Sequence, residues 1–72
     1  MNLNREDKLL TSKKLQEVIK LTALGFSTAE IAKAIYLTPS GVEYHIKNAK
    51  DFLGANNKSH LIYLALKRGW IN

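Results

Sequence analysis

Apolar residues recur along the chain at spacings of three and four, the period of amphipathic helices, and no segment reads as a strand. Four short helical segments follow. The first runs from about Ser12 to Leu24, with Leu15, Val18, Ile19 and Thr22 on one face and Gly25 suited to a left-handed cap. Ser27-Thr28-Ala29-Glu30 has the capping-box form, in which hydroxyl and carboxylate each take up an otherwise unpaired backbone amide. It opens a second helix that carries Ile31, Ala32 and Ile35 inward and stops near Tyr36.

Leu37-Thr38-Pro39-Ser40 then restarts the helix. Thr38 suits the N-cap, and Pro39 suits the first helical position, where its missing amide costs no hydrogen bond. Pro39 also excludes one continuous helix from Ser27 onward, because its ring would clash with the preceding turn. The third helix spans about Pro39 to Leu53, with Val42, Ile46, Ala49 and Leu53 in one stripe, and Gly54 caps it. Asn57 can cap a fourth helix, Lys58 to Arg68, burying Leu61, Ile62 and Ala65, with Leu64 a further candidate. Gly69 ends it, and Trp70 can fold back on the last turn.

The 72 residues make one small domain, expected over residues 11–72 behind a polar lead at residues 1–10. The fold class is all-α. With no cysteine, neither disulfides nor thiolate ligands can staple it, so close helix packing must supply the stability. The N-terminus has no apolar secretory core, and charges interrupt every apolar run before the ~18 residues a spanning helix needs. A cytoplasmic protein with no membrane association is expected.

A net charge of +5 suggests a polyanionic partner, nucleic acid or an anionic membrane surface. The strongly basic amphipathic helix that a membrane surface needs is missing, and so are stacking platforms for RNA. No nucleophile stands beside a base, and there are no usefully spaced carboxylate pairs or glycine-rich phosphate loop, so no enzyme and no cofactor are expected. His45 and His60 lack cysteine or acidic partners for a metal, and a structural role is expected for His45.

Two short helices joined by a tight turn fit the helix-turn-helix pattern, whose second helix enters the major groove. Glu17-Val18-Ile19, Leu21, Ala23, Gly25, Ser27, Glu30-Ile31-Ala32, Leu37, Val42, His45, Leu53-Gly54 and Gly69-Trp70-Ile71 make the chain resemble the LuxR/GerE-type helix-turn-helix domain of bacterial transcription regulators. The resemblance covers about Thr11 to Ile71. It implies a four-helix fold, DNA reading by the second and third helices, and a homodimer on a two-fold DNA site, often formed through the fourth helix. The length resembles the free-standing GerE-like members.

Ser40, Glu43, Tyr44, Lys47 and Asn48 point away from the Val42 and Ile46 stripe and are the groove-facing candidates. The resemblance implies base contacts at Glu43, Tyr44 and Lys47 and a phosphate contact at Lys58. Thr38 and Lys50 complete the DNA-binding set, and Tyr63, Leu64 and Lys67 are the dimerisation candidates, with Trp70 a further residue that the fourth helix can leave exposed. Tyr36, Tyr63, Phe26 and Phe52 are expected in the core or at an interface.

The chain departs from the family where Thr-Val-Lys or Thr-Val-Arg is usual and Gly41-Val42-Glu43 stands instead. Glu43, Lys47, Lys50 and Asp51 leave the third helix neutral, although affinity for DNA comes mainly from neutralised phosphates. Glu43 can accept from a cytosine amino group, or affinity comes from elsewhere. Alternatively the domain binds another regulator or RNA polymerase and not DNA. In the first helix Leu15 replaces the acidic partner of the N-cap, so that capping box is lost.

Overall fold

The structure, a computed structural model, describes residues 12–72; the expected polar lead over residues 1–10 lies outside the described residues. Four helices follow one another without a strand among the described residues: α1 (Lys13–Ala23), α2 (Thr28–Ala34), α3 (Pro39–Leu53) and α4 (Lys58–Lys67). Each starts on a side chain that accepts a backbone amide. Ser12, Ser27, Thr38 and Asn57 take up the N–H groups of Leu15, Glu30, Gly41 and His60, so each helix loses one of its unpaired donors. The box at Ser27 is complete, since Glu30 also accepts from the Ser27 amide at 2.8 Å. At Ser12 only half of it forms, because Leu15 has nothing to return.

The helix ends share one solution. Leu24 ends α1, Gly25 follows at φ 95, and the amides of Gly25 and Phe26 donate to the carbonyls of Thr22 and Leu21. The same geometry closes α2, where the Leu37 amide donates to the Ala32 carbonyl, yet the left-handed residue there is Tyr36 at φ 59. No glycine relieves it. Lys14 of α1 steadies this end by donating from Nζ to the Ile35 carbonyl.

Packing converges on α3, which meets each of the other three helices. Val42, Ile46 and Ala49 of α3 lie against Leu15, Val18 and Ile19 of α1, Ile31 and Ile35 around α2, and Leu61 and Ala65 of α4 in one buried cluster. Trp70 folds back into it, with its ring stacked on Phe52 at 6.1 Å between centroids.

The structure decides between positions that the sequence left open for three aromatic side chains. Tyr36 lies outside the core, 92% exposed, because the left-handed turn throws its side chain outward. Trp70 is buried, folded back as expected after Gly69, and so does not extend an exposed face of α4; Leu66 is exposed there instead. Phe26 is also exposed, turned out by the reversal at Gly25. Thr22, placed on the apolar face by its spacing, is half-buried and spends its hydroxyl on the Val18 carbonyl at 2.7 Å.

Candidate nucleic-acid interface

Burial of Val42, Ile46 and Ala49 fixes the rotation of α3, and the opposite face is then open to solvent. Ser40, Glu43, Tyr44 and Lys47 are exposed on it, while Asn48 is half-buried at its margin rather than fully outward. Thr38 is exposed just before α3, but its hydroxyl caps the helix through the Gly41 amide at 3.0 Å. A side chain at position 41 would crowd that cap, since a Cβ there stands 3.3 Å from Thr38 Oγ1. The fifteen residues of α3 reach about 22 Å, longer than the ~12 Å width of a major groove.

The charges on this face pair with one another. Lys47 Nζ lies 3.3 Å from Asp51 one turn on, both well exposed. Glu43 is held from two sides on one oxygen: Thr28, the first residue of α2, donates from Oγ1 to Oε1 at 2.8 Å, and Lys58, the first residue of α4, brings Nζ to 3.4 Å of the same atom. The Thr28 hydroxyl, and then the Lys58 and Lys50 ammonium groups, hold the Glu43 carboxyl below its ordinary value despite slight burial, so it is ionised at neutral pH. Lys50, about two turns further along α3, is half-buried. The structure therefore brings Glu43 and Lys58 together across the sequence, and adds Thr28, which no local pattern marks.

His45 is half-buried with its ring edge toward Tyr44 at 6.1 Å. His60 has a structural task, accepting from the Asn56 amide through Nδ1 at 3.0 Å where α4 begins. No cluster of potential metal ligands occurs among the described residues, and no helix among them is long and apolar enough to cross a membrane. On α4, Tyr63 is exposed with the Lys67 ammonium 5.9 Å from its ring centroid, and Leu64 is half-buried.

Four helices in this order, with a tight α2–α3 turn and an exposed α3 face, characterise a recognisable group of proteins. Residues 8–65 match the bacterial regulatory proteins of the luxR family. The chain belongs to this family. Its luxR-family relatives include the spore germination protein GerE of Bacillus subtilis, 31% identical over 64 residues that cover 89% of this chain and 86% of GerE. The uncharacterized transcriptional regulatory protein YvfU of the same organism is 33% identical over 97% of this chain, which covers 34% of YvfU. The transcriptional regulatory protein DegU of Brevibacillus brevis is 27% identical over 76% of this chain and 23% of its own length. The chain thus spans about a third or less of two of these luxR-family relatives. The family is a regulatory one and not an enzyme family.

Proposed function

We infer that this luxR-family chain is a duplex-DNA-binding domain of a transcription regulator and that it lays α3 in the major groove. The observation that carries the reading is the division of α3 into a fully buried stripe and an open face bearing Ser40, Glu43, Tyr44 and Lys47. Such a helix is held rigidly by the core while its outer side chains reach base edges. In this arrangement Lys47 and Tyr44 address bases, Lys50 and Lys58 address phosphates, and Thr38, Ser40 and Asn48 flank them. The transcriptional regulatory relatives YvfU and DegU support the same role.

A homodimer on a two-fold site fits α4, whose Tyr63, Leu64 and Lys67 would then meet a second copy. A cytoplasmic location goes with a DNA target and with the lack of a spanning helix among the described residues.

One observation favours a second reading, in which the domain binds another regulator or RNA polymerase. Glu43 with Lys58 and Lys47 with Asp51 neutralise cations that would otherwise meet phosphates. Fluorescence anisotropy with a labelled mixed-sequence duplex across a salt series separates the two. DNA binding shows log K falling linearly with log salt at about 0.9 per neutralised phosphate. Absence of binding even at low salt would leave the protein-partner reading.

A further inference from the structure

The Glu43 carboxylate lies on the outward face of α3, between Ser40 one turn before it and Lys47 one turn after it, yet it is bound by residues of two other helices. Lys58 Nζ, 3.4 Å away, is therefore at the edge of the same face. An ammonium there would meet the backbone of any duplex lying along α3, but in the free protein it already has an anion. We infer that Glu43 is an internal stand-in for a DNA phosphate, which holds Lys58 until a phosphate replaces it and so keeps Lys58 from contributing to weak, indiscriminate binding.

This inference rests on the DNA-binding reading. Three features of the contact support the exchange. Both partners are about half exposed, with side-chain exposures of 47% for Lys58 and 54% for Glu43, so water already competes for the pair and little is lost on opening it. The Thr28 hydroxyl donates to the same carboxylate oxygen, so Glu43 keeps a partner when Lys58 departs. A lysine is a point charge on a flexible stem, able to swing between two anions without fixed geometry. Lys47 has the weaker arrangement, a helical pair with Asp51 in which no third residue is seen to hold the carboxylate among the described residues.

The consequence is a coupling between positions 43 and 58. With Glu43 present, part of what Lys58 gains from a phosphate is offset by the anion it leaves. With a neutral residue at 43, Lys58 is free, and its phosphate contributes in full. One phosphate at about 0.9 in the log-log slope corresponds to about fivefold in affinity near 0.15 M salt, relative to 1 M.

The test is a two-by-two set, wild type, Glu43→Gln, Lys58→Ala and the double variant, titrated with a mixed-sequence duplex at several salt concentrations. Glutamine keeps the shape and can still accept from Thr28, so the fold is retained. Glu43→Gln should tighten binding, by at most about fivefold, and steepen the salt slope by at most about 0.9. Lys58→Ala should weaken wild-type binding by less than the about fivefold it costs in the Glu43→Gln background, where it removes the whole gain. If Lys58→Ala costs the same in both backgrounds, or if Glu43→Gln weakens binding, Glu43 is no stand-in and the inference fails while DNA binding survives. If none of the four proteins binds duplex at low salt, the DNA-binding reading itself fails and takes the inference with it.

Discussion

Replacing Tyr36 by glycine should make the domain more stable. Tyr36 adopts φ 59 to close α2, a conformation that places Cβ against the following carbonyl and costs an L-residue about 1–2 kcal/mol. The side chain is 92% exposed, so truncating it gives up almost no buried surface. Against this, glycine adds freedom to the unfolded chain, which takes back about 0.4–1 kcal/mol. The net gain is centred on about 0.8 kcal/mol, or a rise of about 3–6 °C in Tm for a domain of this size.

Gly25 supplies the mirror control, because it holds the equivalent place after α1 at φ 95 and a Cβ there would meet nothing within 4 Å. Gly25→Ala should therefore lose about 1 kcal/mol through backbone strain alone, without a clash. Melting followed by helical circular dichroism, with the buried Trp70 as a fluorescence probe of the core, reads both variants. Opposite signs at two matched helix ends are required. A fall in Tm for Tyr36→Gly would refute the reasoning and would mean that the Tyr36 side chain makes a stabilising contact.

Lys47→Ala should weaken binding to a selected operator by about 1–3 kcal/mol, while a melt shows a loss of no more than about 0.5 kcal/mol from its exposed pair with Asp51. Ile46→Ala, in the fully enclosed stripe of α3, should cost about 2–5 kcal/mol in urea unfolding; a loss below about 1 kcal/mol would place Ile46 outside a tightly packed core. The carboxyl of Glu30 is held below its ordinary value of 4.5 by the Ser27 amide and then the Ser27 hydroxyl, and that of Glu43 by Thr28 first. Both are depressed in the folded state, so their contribution is fully present above that value and is lost as pH falls below it. Melts from about pH 6 to about pH 3 should show Tm dropping through this window, with a shallower drop in Glu30→Gln combined with Glu43→Gln.

The helices were legible because each carries its own local signals. Ser27 with Glu30, Thr38 with Pro39, and Asn57 announce three starts, and the Leu15, Val18, Ile19 and Val42, Ile46, Ala49 stripes announce which faces are buried. That α2 stops near Tyr36 was legible, but its means of stopping was not, since helix ends of this kind normally carry glycine and Tyr36 gives no hint of a positive φ. The fold-back of Trp70 after Gly69 was legible, but its stacking on Phe52, a contact between the end of α3 and the residues after α4, is encoded by no local spacing.

The outward face of α3 could be read from the wheel, but its electrostatics could not. Thr28 and Glu43 are fifteen positions apart and meet only because α2 and α3 pack together. Lys58 reaches them from the start of a third helix. A count of charges along α3 gives the same neutral sum in either arrangement and does not distinguish a carboxylate aimed at a base from one already bound to a lysine.

The most direct test of DNA reading by α3 is a nuclear magnetic resonance titration of the isotopically labelled protein with a mixed-sequence duplex, first at low and then at physiological salt. Shifts concentrated on Ser40 to Lys50, joined by Thr28 and Lys58 and fading as salt rises, are the expected result. No shifts at low salt, or shifts confined to Tyr63, Leu66 and the rest of α4, would contradict it.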